Sequence, residues 1–197
     1  SALNSFSKYV YSEYVFDKEL IKNISKEITE GNIIGWFDGR MEFGARALGN
    51  RSILANPRDP QMKSRLNMMI KKREGFRPFA PMITKGDQVK YFKYQRVVPY
   101  MNQVVKVKDE FIDKLPAITH IDNSARIQSL DSKSNPRIYS LLEQLKVDNE
   151  YPIVINTSFN LKDQTMALTP EDAIKTFLNC EMDTLVLGNY IVKKTII

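Results

Sequence analysis

The residues best able to do chemistry in this sequence are arginines on a glycine-rich stretch. Residues 39–81 contain seven of them: Arg40, Arg46, Arg51, Arg58, Arg65, Arg73 and Arg77. A guanidinium donates two parallel hydrogen bonds to a phosphate or carboxylate, which the point charge of lysine does not. Gly39, Gly44 and Gly49 permit positive φ angles and bring backbone N–H groups close to a ligand. The stretch therefore predicts a phosphate-handling site.

Arginine clusters also occur as solvated surface, and the spacing alone leaves both interpretations open. Two known phosphate motifs are excluded. Gly39 and Gly44 have the Walker spacing, but Ala45 and Arg46 stand where Lys-Ser or Lys-Thr is required. No G-x-G-x-x-G occurs in the chain, so the dinucleotide fingerprint is absent.

Two further polar clusters, residues 119–128 and 156–160, each follow an apolar segment of strand character. Ligand loops commonly lie just past strand ends, although Asn and Ser also serve local turns. His120 is the only histidine, so this chain cannot form a zinc site with several histidines. A triad of Ser158, His120 and Asp122 can be drawn, but no G-x-S-x-G elbow supports it.

Composition narrows the class of protein. The chain has 197 residues and 43% hydrophobic content, enough for one substantial core. No apolar run reaches the roughly 20 residues of a bilayer span, and the first residues do not have a signal-peptide pattern. The single Cys180 cannot form an internal disulfide, which favours a reducing, cytoplasmic setting. The net charge of +6 favours an anionic partner.

The hydrophobic pattern alternates between helices and strands and predicts one mixed α/β domain. Residues 1–16 are expected to be an extended lead-in. Helices are predicted over residues 17–30, 61–71, 86–92, 135–146 and 169–177, and strands over residues 32–37, 52–55, 79–84, 99–107, 125–130, 152–156, 184–187 and 190–194. Residues 1–30 are assigned to the lead-in and first helix, and residues 31–197 to the domain proper. Because the sequence starts at Ser1 rather than Met, we expect a domain cut from a longer polypeptide.

Five segments occur in a characteristic order: GWFDGRMEFGARALGNRSILANPRDPQMKSRLN, REGFRPFAP, ITHIDNSARIQ, VINTSFN and TPEDAIKTFLNCEMDTLVLGN. Together they resemble the C-terminal domain of the O-carbamoyltransferases of antibiotic and nodulation-factor biosynthesis. The resemblance covers about residues 31–192. The sequence differs from the family pattern at Ala45, at Asn123 and after Asn160, where a Gly-Glu-Pro-like turn is usual.

The resemblance implies a YrdC-like fold, a twisted mixed sheet with flanking helices and a basic concave face. It also implies that the domain makes carbamoyl-adenylate from ATP and carbamoyl phosphate and releases pyrophosphate. A separate N-terminal domain of the actin/sugar-kinase-like type would then transfer the carbamoyl group to an acceptor hydroxyl. The metal-binding histidines of that domain are absent here.

Such a reaction requires positioning and relief of phosphate charge rather than a protein nucleophile. The side chains expected to act on the reacting groups are Arg46, Arg51, Arg77, Arg126 and His120. Those expected to bind nucleotide or substrate are Arg40, Ser52, Arg73, Asn156, Ser158 and Asn160. Glu42 and Asp122 are candidates to hold Mg²⁺ through water, because magnesium uses few carboxylates beside substrate phosphates. Arg58 and Arg65 are expected to be surface or structural residues.

Two alternatives stay open. The first is a basic RNA-binding module of the same fold, although aromatic residues are not interleaved with the basic ones, apart from Phe76 and Phe79. The second is a docking domain that has kept the fold without the chemistry. Retention of the arginines disfavours the second alternative. We expect neither a membrane nor a nucleic acid as the main partner.

Overall fold

The described part of the chain forms a nine-stranded mixed β-sheet with helices on both of its faces. The computed structural model describes residues 2–195. In chain order the elements are α1 (Ala2–Ser5), β1 (Val10–Tyr14), α2 (Asp17–Thr29), β2 (Ile34–Phe37), β3 (Arg51–Ala55), α3 (Met62–Arg65), β4 (Ala80–Thr84), α4 (Gln88–Tyr91), β5 (Gln103–Lys106), β6 (Ser124–Leu130), α5 (Pro136–Asn149), β7 (Ile153–Ser158), α6 (Pro170–Leu178), β8 (Thr184–Leu187) and β9 (Tyr190–Lys194). A π-helical turn, Leu66–Ile70, continues α3, and a 3₁₀ turn, Asp109–Phe111, follows β5.

The strand order is β1-β9-β8-β2-β3-β7-β4-β6-β5. Strands β2 and β8 are parallel, as are β4 and β6, and the remaining neighbours are antiparallel. As a result, β2 and β7 finish at the same end of the sheet at which β3, β4 and β6 begin. This is called the arginine end below, because the loops that carry most of the predicted arginines meet there.

Helices α2 and α5 pack side by side on one face of the sheet. Their apolar residues recur at three- and four-residue steps, as Leu20, Ile21, Ile24 and Ile28 show in α2. These side chains bury strand residues such as Leu54 and Val154. The start of α5 is fixed by Asn135, whose Oδ1 accepts the backbone N–H of Ile138 at 3.1 Å. Helix α6 and the π-helical turn contribute to the core on the opposite face.

The predicted mixed α/β class is confirmed. The main difference from the predicted elements is in residues 1–16, which contain α1 and the edge strand β1 rather than only a lead-in. Val10 pairs with Lys194 and Tyr14 with Tyr190, so β1 extends the sheet beyond β9. The predicted strand over residues 99–107 shortens to Gln103–Lys106. Among the described residues, no helix combines the length and apolar character that a bilayer span requires.

Candidate active site

The strand register gathers the predicted polar residues on one face of the sheet at the arginine end. Ser52 pairs with Ser158, and Ala80 pairs with Asn156, so their side chains point to the same face. On β6, alternation places Ser124, Arg126 and Gln128 together on one face. Gln128 pairs with Met82, whose side chain belongs to the apolar layer under α2 and α5. That face is therefore apolar beneath the helices and polar where the helices end.

Two adjoining cavities open at this end. The small cavity, about 120 Å³, is lined by Arg46, Arg73 and Arg126 together with Asn156 and Ser158. The large cavity, about 350 Å³, is lined by Lys71, Arg73, Arg77, Ser158, Asn160 and residues 161–163. Arg73 and Ser158 line both cavities. Arginines that are far apart in sequence are thus brought together around two cavities that share lining residues.

The guanidinium groups of the small cavity lie close enough to destabilise one another. Burial lowers the pKa of Arg126, and the nearby charges of Arg46 and Arg73 lower it further. Burial and the charge of Arg77 likewise lower the pKa of Arg73, against a smaller opposing effect of Glu74. Cations held together in this way are stabilised by an anion bound between them. The electrostatics therefore favour an anionic ligand in the small cavity.

Lys71 was not singled out from the sequence, yet it is the most deeply engaged cation of the site. Lys71 is 5% exposed. Its Nζ lies 2.5 Å from the carbonyl oxygen of Ser158 and 3.2 Å from the Oγ of Ser158. The same Nζ lies 2.9 Å from the carbonyl oxygen and 2.9 Å from Oδ1 of Asn160. Burial lowers the pKa of Lys71 to about 7.

The π-helical turn explains why helical periodicity gave no signal for Lys71. The backbone N–H of Lys71 donates to the carbonyl of Leu66, five residues back, rather than to the residue four back. This wider turn changes the direction of the side chain, which reaches β7 instead of solvent. The preceding residues Leu66 and Ile70 are fully buried and anchor the turn to the core.

Arg51 does not point toward the cavities. It pairs in register with Phe37 and lies on the face opposite Ser52, 4% exposed, with its guanidinium 3.6 Å from the centre of the Phe37 ring. Its Nη1 donates to the carbonyls of Asp38 at 2.8 Å and Asn50 at 2.9 Å, and its Nη2 donates to Gly39 at 3.2 Å. Arg51 thus holds the turn after β2, and its predicted action on the ligand stays a prediction.

Glu42 shapes the loop that carries Arg46. Its Oε1 accepts the backbone N–H groups of Leu48 and Asn50, each at 2.7 Å, and of Arg51 at 3.4 Å. Asp122 accepts the N–H of Ser124 at 3.2 Å and also contacts Lys106 Nζ at 3.4 Å. Both candidate magnesium ligands are therefore engaged in loop geometry.

Glu42 and Asp122 do not belong to a metal site formed by the described protein side chains alone. Within residues 2–195 no group of three or more His, Cys, Asp or Glu side chains is placed to hold a metal ion. A magnesium ion bound mainly by substrate phosphates requires fewer protein ligands. The predicted Mg²⁺ stays a prediction, and no step is derived through it.

His120 is linked to Asp122 through a hydroxyl. Ser124 Oγ lies 3.1 Å from His120 Nδ1 and donates to Asp122 Oδ1 at 2.6 Å. Because the hydroxyl has one proton, Nδ1 must carry its own proton and donate to Ser124. Nε2 is then left with a free lone pair. Burial lowers the pKa of His120, as do the charges of Arg126 and Lys63, while Asp122 raises it. The imidazole is thus a neutral hydrogen-bond acceptor at neutral pH.

The other predicted site residues differ in their exposure. Arg40 and Arg46 are exposed, and Arg77 is exposed and paired with Glu74 at 2.9 Å. Asn160 donates from Nδ2 to the carbonyl of Gln164 at 2.6 Å. Ser52 is fully buried beside Ser158, so direct contact with a ligand requires the neighbouring side chains to move.

Buried polar atoms without a hydrogen-bond partner are concentrated at the arginine end. Among the described residues they are Trp36 Nε1, Glu42 Oε2, Arg51 Nε, Ser52 Oγ, Arg126 Nε, Arg137 Nε and Asn156 Oδ1. All belong to β2, β3, β6, β7, the loop after β2 or the first turn of α5. Buried polar groups are normally hydrogen-bonded, so such a concentration indicates sites for water or a ligand.

A wider cavity, about 470 Å³, lies at the opposite end of the sheet and is a weaker candidate. Its basic side chains Arg58 and Lys114 are matched by Glu30, Asp59 and Asp113 among the lining residues. Arg58 is stacked on Tyr151, with its guanidinium carbon 4.3 Å from the ring centre. This agrees with the expectation that Arg58 is structural.

Comparison with solved structures shows the same fold in HypF. The chain superposes on full-length HypF, solved in a phosphate- and nucleotide-bound form, with a TM-score of 0.64 at 21% sequence identity over 86% of this chain and 25% of that one. The predicted YrdC-like mixed sheet with flanking helices is confirmed.

Sequence relatives are longer proteins. The nodulation protein NolO of Bradyrhizobium diazoefficiens is 44% identical over 85% of this chain and 31% of its own length. The 3'-hydroxymethylcephem-O-carbamoyltransferase of Amycolatopsis lactamdurans is 35% identical over 80% of this chain and 29% of its own length. The chain thus spans about a third of the curated relatives it matches. Residues 25–194 match the family model described as the carbamoyltransferase C-terminus, and the chain belongs to that family.

Proposed function

We propose that this chain is the carbamoyl-activating domain of an O-carbamoyltransferase. The observation that carries the proposal is the meeting of Arg46, Arg73 and Arg126, from three separate segments, around one small cavity that adjoins a larger basic one. Family membership supplies the carbamoyl group as the substrate class. The two cavities supply places for a small acyl group and for nucleotide phosphates.

The reaction has two steps. Water cleaves carbamoyl phosphate to carbamate and inorganic phosphate. A carbamate oxygen then bonds to the α-phosphorus of ATP as the bond to pyrophosphate breaks, which gives carbamoyl-adenylate and free pyrophosphate. Both steps place negative charge on phosphate oxygens, and cations positioned beside those oxygens stabilise that charge.

The residues divide between the cavities. The large cavity is of the size of ordinary small-ligand sites, about 300–1,000 Å³, and its Lys71, Arg77 and Asn160 are suited to nucleotide phosphates. The small cavity falls below that range and suits the carbamoyl end of the substrate. Arg73 lines both cavities. We therefore assign it contact with the reacting phosphate, which joins the carbamoyl group to the nucleotide.

Transfer of the carbamoyl group to an acceptor hydroxyl is assigned to a part of the protein outside this chain. The relatives are about three times as long as the matched region, which supports a further domain, and we assign it the actin/sugar-kinase-like type. The unpaired thiol of Cys180 and the use of ATP support a cytoplasmic location.

Pyrophosphate release by the full-length protein tests the proposal. We expect release to require both ATP and carbamoyl phosphate, and to be lost in Arg126→Met. Arg58→Met, at the opposite end of the sheet, is the matched control and should keep full activity. Absence of ATP binding by calorimetry at millimolar nucleotide would contradict the proposal.

An RNA-binding role is the second candidate, since exposed Phe43 and Phe76 lie on the loops that carry Arg46 and Arg77. Aromatic side chains beside basic ones are typical of single-strand binding. RNA binding that weakens steeply with salt and is unaffected by ATP would favour this candidate.

A further inference from the structure

Asn156 carries a buried side-chain oxygen that accepts no hydrogen bond from any residue the structure describes. The residue is 2% exposed and lies at the small cavity. Its Nδ2 donates to the carbonyl of Ala47 at 3.0 Å and to Gln128 Oε1 at 2.8 Å. Its Oδ1 has no partner among the described residues. An unpaired buried acceptor of this kind costs free energy unless a ligand or water pairs with it.

The orientation of this amide is fixed by its neighbours. Gln128 Nε2 donates to the carbonyl of Leu48 at 2.9 Å, so Gln128 must present its oxygen to Asn156. The carbonyl of Ala47 can also only accept. Both contacts therefore require the nitrogen of Asn156, and a flipped amide would lose both hydrogen bonds. The free atom is the oxygen, and it can only accept.

An unpaired donor lines the same cavity. Arg126 Nε is buried and has no hydrogen-bond partner within residues 2–195, and both Arg126 and Asn156 line the small cavity. The other charged side chains there, Arg46 and Arg73, can only donate. A ligand that satisfies both orphaned atoms must offer an oxygen to Arg126 and an N–H or O–H to Asn156. A phosphate or a carboxylate supplies the oxygen but, when fully ionised, no proton for Asn156.

We propose that Asn156 Oδ1 accepts a hydrogen bond from the NH₂ of the carbamoyl group and makes the site select carbamoyl over acetyl substrates. This inference rests on the proposed function. The carbamoyl group is a planar amide that offers one oxygen and one NH₂, which matches the orphaned donor and acceptor. An acetyl group has the same shape but places a methyl group against Oδ1.

The discrimination follows from the unpaired oxygen. With carbamoyl phosphate, Oδ1 exchanges water for a substrate N–H. With acetyl phosphate, Oδ1 loses water and gains nothing. Sites built to hydrogen-bond a substrate NH reject the analogue that lacks it by about 10⁴-fold or more. Asn156 is thus a specificity-determining residue, and Gln128 is a positioning residue that holds its amide.

The test compares carbamoyl phosphate with acetyl phosphate in ATP-dependent pyrophosphate release by the full-length protein. In the wild type we expect kcat/KM to favour carbamoyl phosphate by about 10⁴-fold. Asn156→Leu, whose side chain has the same branching, removes the acceptor and should reduce this ratio to less than about tenfold, because the two acyl groups then differ little in shape. The rate with carbamoyl phosphate should fall, and the rate with acetyl phosphate should not.

Gln128→Leu tests the positioning role: it removes one of the two hydrogen bonds that hold the Asn156 amide but leaves the Asn156 oxygen in place, so the ratio should fall by less than in Asn156→Leu. Arg58→Met, at the opposite end of the sheet, is the matched control and should keep both rates and the ratio. Thermal unfolding of each variant checks that it is folded. A wild type that uses both acyl phosphates equally, or an Asn156→Leu variant that keeps the ratio, would overturn the inference while leaving the proposed function intact. Failure of the wild type with both substrates would instead remove the proposed function.

Discussion

Lys71 Nζ lies 2.9 Å from both the carbonyl oxygen and Oδ1 of Asn160, and these contacts join the end of the π-helical turn to the segment after β7. Ser158 Oγ donates to the same Oδ1 at 2.6 Å, so the amide oxygen accepts from two sides. All three residues line the large cavity. The charge of one buried lysine is therefore coupled to the shape of the proposed nucleotide site.

The coupling predicts a pH dependence of nucleotide binding. Burial lowers the pKa of Lys71 to about 7, so the free protein loses this charge as the pH rises through that value. A bound triphosphate favours the ammonium and raises its pKa. Affinity for ATP should therefore be highest below pH 7 and fall as the pH rises above it, by at most about tenfold per pH unit. Calorimetric titration between pH 6 and 9 measures this slope.

The Lys71→Met variant should bind ATP more weakly than the wild type. Its affinity for ATP should also lack the decrease with rising pH that begins near pH 7 in the wild type. Lys72→Met is the control, because Lys72 is the adjacent residue but is exposed and outside both cavities. It should retain the pH dependence of the wild type. An identical slope in Lys71→Met and the wild type would show that another group titrates.

Arg126→Met should separate stability from binding. Burial lowers the pKa of Arg126 and the charges of Arg46 and Arg73 lower it further, so its removal relieves both the cost of burying a charge and repulsion in the free protein. We expect the unliganded variant to gain about 1 kcal/mol of unfolding free energy, as strained functional sites often do when a site residue is replaced. Thermal unfolding without ligand measures this gain.

The same variant should lose its response to nucleotide. ATP at about 100 times its Kd stabilises the wild type by about 2.7 kcal/mol, whereas Arg126→Met at the same concentration should gain much less. Arg58→Met should respond to ATP as the wild type does, since Arg58 lies at the opposite cavity. Equal stabilisation of wild type and Arg126→Met by ATP would contradict a role for Arg126 at the nucleotide or acyl group.

Arg51→Met should act mainly through folding. The change leaves the carbonyls of Asp38, Gly39 and Asn50 without their donor, and we expect a loss of about 3 kcal/mol of unfolding free energy. Denaturant titration measures it. Arg40→Met is the control, because Arg40 is exposed and its loss should change stability by no more than about 0.5 kcal/mol. An Arg51→Met variant of unchanged stability but raised KM for ATP would show that Arg51 acts on the ligand instead.

The contrast between Arg51 and Arg126 shows what the sequence could predict and what it could not. Residue type and glycine spacing predicted a phosphate site, and the structure brings three of the predicted arginines, Arg46, Arg73 and Arg126, to one small cavity. Residue type and spacing could not show that Arg51 and Ser52, adjacent in β3, point to opposite faces, with only Ser52 on the face of Arg126. Which face of a strand carries the site depends on pairing with distant strands, and local pattern does not contain that information.

Elements were predicted best where one face is buried and the period is clear. Helices α2 and α5 have regular apolar steps, and both were predicted. Strand β1 was missed because an edge strand has one exposed side: only Val10 of its five residues is buried. Lys71 was missed because the π-helical turn breaks the helical period at that point.

The hydrogen bonds that connect His120 to Asp122 through the Ser124 hydroxyl can be tested directly by NMR. His120 is the only histidine, so the imidazole signals have a single source. In the wild type at neutral pH we expect the proton on Nδ1, where it donates to Ser124 Oγ. Ser124→Ala removes that acceptor, so the population with the proton on Nε2 should rise. Nitrogen chemical shifts distinguish the two forms.

The pKa of His120 provides a second measurement, which tests the effect of the Asp122 charge on the imidazole. Burial keeps the pKa of His120 below its ordinary value, and the carboxylate of Asp122 partly opposes this. Asp122→Asn should therefore lower the pKa further, because the favourable charge is gone while the amide oxygen can still accept from Ser124 Oγ. Asp131→Asn, which alters a different turn, should leave it unchanged. A pKa that rises in Asp122→Asn would contradict the stabilising effect of the Asp122 charge on the imidazolium.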